Sequence, residues 1–190
     1  MNFYKSLLQI TLNMNTSKFK KKILLLLYFL ILSNNTFATE YIEKLREQIQ
    51  FPTFTVFDSN EKAIILQLSK DPNKNGYIVN FWATWCVPCK KELPDLNLLD
   101  QKLEKYKIDV LTISIDKKNI KDQIKFLSKN GASDLTHFFD KKMNVFKAMK
   151  LRGVPTTILV DKTGLVVSKH EGILKWSEDV IVKEIVHLLN

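Results

Sequence analysis

Ile78-Val-Asn-Phe-Trp-Ala-Thr-Trp-Cys86-Val87-Pro88-Cys89-Lys-Lys-Glu92 decides the reading of this chain. It contains both cysteines of the 190-residue sequence, two residues apart. An apolar run leads into them, as a strand buried on both faces would, and a charged, leucine-bearing segment follows, as a helix would. Pro88 suits a first helical turn, where its missing N–H leaves nothing unpaired. A cysteine pair at the turn from a buried strand into a helix is a redox device. The N–H groups at a helix start have no intrahelical partner and favour a thiolate, which makes Cys86 the candidate nucleophile. Cys89, one turn on and on the same face, is the candidate resolving thiol. Two other uses of the pair remain open. A zinc site would need ligands from His137, His170 and His187, which are far apart in sequence. An inert bridge would close so short a loop that it adds little stability.

Working outward, Tyr77 to Ala83 is a central strand and the helix after Pro88 runs to about Lys107, with Leu93, Leu96, Leu99 and Leu103 on one face and Pro94 as a kink. Val110–Ile115 is a second buried strand. Asn119 caps a helix that Gly131 stops, and Met143–Leu151 is a further short helix. Thr156–Val160 and Leu165–Lys169 flank the turn Asp161-Lys-Thr-Gly164. Ser177 is placed to cap a last helix carrying Ile181, Ile185 and Leu188. Upstream, Phe54–Phe57 and Ile64–Leu68 read as short strands, and Glu40–Gln50 as a lead-in helix from the spacing of Ile42, Leu45 and Ile49. Alternating strands and helices, then a hairpin and a helix, predict a three-layer α/β sandwich around a central mixed β-sheet.

The net charge of +9 suggests nucleic acid until it is mapped. Residues 1–38 hold five lysines and no acid; without them 24 basic residues face 20 acidic ones, and Arg46 and Arg152 are the only arginines. Nucleic-acid binding is therefore not expected. Lys18-Phe-Lys-Lys-Lys22, the apolar run Ile23–Leu32 and Ser33–Ala38 form a secretory leader, cleaved after Ala38 or retained as an anchor through residues 23–32. Met14 is a second candidate start. The division is thus a signal peptide or membrane anchor over 1–38, a lead-in over 39–50 and one domain over 51–190. The leader places the domain outside the cytoplasm, with membrane contact only through an uncleaved leader.

Phe81-Trp-Ala-Thr-Trp-Cys-Val-Pro-Cys-Lys-Lys-Glu92 resembles the thioredoxin superfamily, and more narrowly the TlpA/ResA group of exported, usually membrane-tethered thiol–disulfide oxidoreductases. The resemblance spans roughly residues 51–189. It implies a thioredoxin-like domain with no cofactor. Gly153-Val154-Pro155-Thr156 matches the loop whose cis-proline faces the cysteines in that family, with the preceding residue presenting its backbone to substrate. Trp85, Val87, Pro88, Val154 and Pro155 are accordingly the expected client contacts. Glu92 matches an acidic residue proposed to handle protons for the cysteines, although a solvated helix charge explains it as well. Cytoplasmic thioredoxins carry a buried aspartate where this chain has Asn80, which cannot titrate.

The group implies a reductant of exported proteins, acting on apocytochrome c or a metallochaperone and taking electrons from a membrane thiol transporter. A general oxidant of secreted proteins fits less well, since the dipeptide between the cysteines is Val87-Pro88 rather than one containing histidine. A peroxiredoxin-like peroxidase places a threonine three residues before its cysteine, whereas Thr84 lies two before Cys86. A redox-inactive binding module would not need an intact cysteine pair.

Overall fold

The computed structural model describes residues 42–69 and 71–190. Eight strands form one sheet in the order β1-β8-β7-β4-β5-β6-β2-β3. They are β1 (Lys44–Gln50), β2 (Phe54–Phe57), β3 (Ala63–Leu66), β4 (Gly76–Trp82), β5 (Ile108–Ser114), β6 (Thr136–Phe139), β7 (Thr156–Asp161) and β8 (Leu165–Glu171). β4 runs parallel to β5 and antiparallel to β7, so the sheet is mixed. Among the described residues four α-helices accompany it: α1 (Val87–Leu103), α2 (Ile120–Lys129), α3 (Asn144–Ala148) and α4 (Asp179–Leu189), with a 3-10 turn at Glu104–Tyr106.

Every residue of β4 is buried, because both of its faces are covered. Successive side chains of a strand point to opposite faces. On one face Trp82 stacks on Phe126 of α2 at 5.7 Å, and Gly76 backs onto Leu189 of α4 so closely that a Cβ would meet its side chain at 3.0 Å. On the other face Phe81 meets Phe146 of α3 edge-on at 6.3 Å. That arrangement is the three-layer sandwich. Leu93, Leu96, Leu99 and Leu103 all point from α1 into the core, as their spacing predicts.

Three local expectations are corrected. The described part of the expected lead-in helix is strand β1, antiparallel to β8. Its pairing slips between Lys44 and Ile49; of the three apolar residues, Ile42 is buried just before the strand, Leu45 is half-buried in it and Ile49 is largely exposed. Ile42 is fully buried and its N–H donates to Glu184 of α4. The last helix has Glu178 at its N-cap position, without a side-chain capping bond, while the Ser177 hydroxyl and N–H are both taken by Asp95 of α1. β6 has no counterpart among the expected strands; it is four residues long and buries His137, leaving almost no periodicity to read. The expected leader, residues 1–38, lies outside the described residues. Among the described residues no helix is long and apolar enough to cross a membrane.

Candidate active site

The site is built where β4 ends. Ala83 to Cys86 make a turn, closed by the Cys86 N–H donating to the Ala83 carbonyl at 3.1 Å. Cys86 then caps α1 with its own sulfur, which accepts the Cys89 N–H at 3.1 Å. The proline at the start of the helix, Pro88, keeps the first turn regular without needing a partner. Cys86 and Cys89 are joined as a disulfide with their Cα atoms 5.3 Å apart. Both are buried, with Cys86 the more accessible at 4% exposure against 1% for Cys89. Around them the surface is apolar: Trp85 is 63% and Val87 66% exposed, and Pro88 is exposed too.

A second loop reaches the same edge. β7 starts beside the end of β4, in the register Phe81↔Thr156, and this places Pro155 next to the cysteine turn. The Val154–Pro155 bond is cis, Pro155 is buried and Val154 is half-buried. The loop is held by the Thr156 hydroxyl donating to the Gly153 carbonyl (2.7 Å) and by the Gly172 N–H donating to the Pro155 carbonyl (3.0 Å). Trp85, Val87, Pro88, Val154 and Pro155 therefore share one edge of the sheet with the cysteines.

Glu92 is no solvated charge. It is 1% exposed, three residues after Cys89 on the buried face of α1. One carboxylate oxygen accepts the indole N–H of Trp176; the other, Oε2, is buried without a partner among the described residues. Burial pushes its carboxyl up to about 7, against the pull of Trp176 and the nearby Asn80 amide and with a small push from the charge on Asp95. Asn80 is itself buried, and its amide donates to Thr157 of β7 at 2.9 Å. Glu92 thus lies one helical turn after Cys89 on the same buried face of α1.

Two residues that build this site escaped the sequence reading. Trp176 lies in the loop before α4, and nothing local reveals its contact with Glu92, 84 residues away. Asp116 follows β5 and accepts both the N–H (3.0 Å) and the hydroxyl (2.5 Å) of Thr84, anchoring the turn that carries Cys86. An available clue was its place just past the C-terminal end of a parallel strand adjoining β4, where α/β sheets build their sites.

A protein-family model for the AhpC/TSA family matches residues 47–169, which takes in both cysteines and Pro155. The chain belongs to the AhpC/TSA family. Within that family it is similar to thiol-disulfide oxidoreductase ResA of Bacillus cereus, 32% identical over 127 residues that cover 67% of this chain and 70% of the relative. The crystal structure of a thiol:disulfide interchange protein DsbE from Chlorobium tepidum superposes with a TM-score of 0.65 at 26% identity, over 77% of this chain and 99% of that one. A solution structure of a thiol:disulfide interchange protein from Bacteroides sp. shares the fold, with a TM-score of 0.62 at 22% identity over 77% and 91% of the two chains. This AhpC/TSA-family chain is thus a thiol–disulfide oxidoreductase of the ResA/DsbE type, with Cys86 and Cys89 as its Cys-x-x-Cys pair.

Proposed function

We infer that the protein reduces disulfides in exported proteins. The observation that carries this reading is the buried carboxyl of Glu92 on the same helix face as Cys89. Negative charge there disfavours a thiolate beside it. Less thiolate stabilisation leaves the reduced form less favoured, and a dithiol that readily gives up its electrons is a reductant. Modest terms suffice, since about 30 mV corresponds to about 1.4 kcal/mol for this two-electron couple.

In the proposed cycle the Cys86 thiolate attacks one sulfur of a client disulfide. A Cys86–client disulfide forms, and the client's other sulfur leaves as a thiolate and takes up a proton. Cys89 passes its proton to the Glu92 carboxylate and attacks the Cys86 sulfur. The Cys86–client bond breaks, the client's second sulfur leaves as a thiolate and takes up a proton, and two electrons have moved to the client. The protein is left with the Cys86–Cys89 bond. A membrane thiol transporter would reduce that bond again. The exposed Trp85, Val87 and Pro88, with the Val154-Pro155 loop, would form the client's docking edge.

The basic and apolar leader supports a location outside the cytoplasm, with residues 1–38 removed or residues 23–32 retained as a tether. Resemblance to the TlpA/ResA group favours clients of the apocytochrome c or oxidase-metallochaperone class. The deciding measurement is the equilibrium potential of the Cys86–Cys89 pair against a dithiothreitol buffer. A value near that of thioredoxin, about −270 mV, is expected; one near that of DsbA, about −120 mV, would make the protein an oxidant instead.

A further inference from the structure

Gly172-Ile-Leu-Lys-Trp176-Ser177 links β8 to α4, and both of its ends are fastened to parts of the site. At the start, the Gly172 N–H donates to the Pro155 carbonyl, and the neighbouring Glu171 pairs with Arg152 at 2.5 Å, in the segment leading to Pro155. At the far end, Ser177 donates its N–H and hydroxyl to Asp95 of α1, while its carbonyl accepts from Lys102 of the same helix at 2.7 Å. Trp176 lies between these fastenings. It is fully buried, with the His170 ring of β8 edge-on to it at 5.5 Å, and its indole N–H points at Glu92.

We propose that Trp176 is a positioning residue of the redox centre: its indole N–H fixes one oxygen of the Glu92 carboxylate and leaves Oε2 free to take the Cys89 proton. The inference rests on the reading of Glu92 as the proton acceptor and adds the residue that sets its orientation and basicity. Indole is a donor only, so it can satisfy a carboxylate but cannot accept the proton in place of Cys89's partner. The hydrogen bond strengthens the charged form of Glu92 and offsets part of the penalty of its burial. Other groups act on Glu92 as well. Asn80 approaches from β4, Asp95 and Cys89 lie on its own helix, and His170 stands behind the indole. Asn80 gives Thr157 one of its two amide hydrogens and also favours the charged form of Glu92 from β4, so Trp176 is the donor that the loop, rather than the sheet, brings to the carboxylate. That loop also holds the cis-proline segment, so the edge proposed to meet clients and the carboxylate share one mechanical connection.

The test uses oxidised glutathione as the probe. Reduced protein forms a mixed disulfide at Cys86, and closure by Cys89 releases glutathione; its rate is followed across pH. Trp176→Phe keeps the aromatic packing and removes the donor. Its closure midpoint is expected to move up by about one pH unit, a roughly tenfold loss of rate below the midpoint. In a Glu92→Gln background the same substitution should move nothing further. A midpoint unchanged in Trp176→Phe but shifted in Glu92→Gln overturns the role of Trp176 and leaves the Glu92 reading standing. Equal shifts with and without Glu92 also overturn it. If Glu92→Gln leaves the profile in place, the underlying reading fails and this one with it. The unaltered protein offers a check that does not depend on a variant folding. Its Trp176 indole N–H resonance should titrate with Glu92, and a resonance that stays flat from pH 5 to 9 rules the contact out.

Discussion

Thr84 and Asp116 are joined twice: one carboxylate oxygen of Asp116 receives both the Thr84 N–H and the Thr84 hydroxyl. The other oxygen receives the Lys118 N–H at 3.0 Å. The end of β5 thereby holds the turn that leads from β4 into Cys86. Burial alone would raise the Asp116 carboxyl, but the hydrogen bonds from Thr84 and Lys118 outweigh it and hold it below its ordinary value.

Asp116→Ala should therefore destabilise the oxidised protein by about 1–3 kcal/mol, the usual loss when hydrogen bonds to a charged group are removed. Urea unfolding near neutral pH measures it. A group held below its unfolded value contributes stability above that value and loses it as pH falls through the folded one. The difference between the wild-type protein and Asp116→Ala should thus persist at pH 5 and shrink only in stronger acid, below about pH 4. A variant as stable as the wild-type protein at pH 7 would show that the anchor carries no weight.

Glu92 has the opposite sign. Its folded carboxyl is raised from 4.5 to about 7, so between those values the unfolded chain ionises while the folded one stays neutral. Stability falls as pH rises through that window. At 1.36 kcal/mol per unit, the cost above pH 7 is about 3 kcal/mol. Glu92→Gln, which keeps an acceptor for Trp176 but has no charge, should be more stable than the wild-type protein at pH 8 and equal to it near pH 4. Denaturant unfolding of the oxidised protein at both pH values decides the matter. A variant less stable at pH 8 would mean that the buried carboxylate is better satisfied than its unpartnered Oε2 indicates.

The sequence pointed to this site unevenly. The β4–Cys86–α1 unit was legible because all its signals are local: a continuous apolar run, a cysteine spacing, and a proline in the first turn of a helix. The mixed sheet followed from the order of elements. What escaped is non-local. Ile42, Leu45 and Ile49 have helical spacing, yet Lys44–Gln50 pairs with β8 as an edge strand, and a pairing with a partner more than a hundred residues away leaves no local signal. Trp176 and Asp116 matter through contacts with Glu92 and Thr84, 84 and 32 residues away, and no window of sequence contains both partners. Glu92 was visible as a residue, but its burial depends on how α1 lies against the loop before α4.

Two histidines give a third pH effect, which Glu92 opposes. Burial lowers both His137 and His170, against hydrogen bonds with the Ala132 and Ile173 backbones. His137 is fixed as the neutral tautomer that donates from Nε2 to the Ala132 carbonyl at 2.8 Å and accepts the Thr112 hydroxyl at Nδ1 at 2.7 Å. A histidine held neutral in the fold costs stability once the unfolded chain can protonate, below about pH 6.5. The Glu92 contribution rises over the same interval and opposes that loss, so the wild-type profile between pH 7 and pH 5 should be flatter than that of Glu92→Gln. Glu92→Gln removes one of the two opposing slopes. Its unfolding free energy should then fall measurably as pH drops from 7 to 5. A flat profile in the variant would remove the histidines from the account.

The last prediction concerns the order in which the cysteines react. Cys86 caps α1 with its sulfur toward the Cys89 N–H, while Cys89 lies within the first turn, on the face shared with Glu92. The N–H groups at the helix start stabilise a thiolate on Cys86, and the nearby carboxyl opposes one on Cys89. Access runs the same way, since Cys86 is the less buried sulfur and lies between the exposed Trp85 and Val87. In the reduced protein near pH 7, iodoacetamide should label Cys86 at least about tenfold faster than Cys89, a difference that one unit of thiol pKa supplies. Mass spectrometry of peptides quenched at early times reads this directly. The same asymmetry predicts that Cys89→Ser accumulates mixed disulfides with client proteins through Cys86, whereas Cys86→Ser does not. Faster labelling of Cys89, or trapping by the Cys86→Ser variant, would exchange the two roles and leave the Glu92 carboxyl beside the attacking sulfur instead of the resolving one.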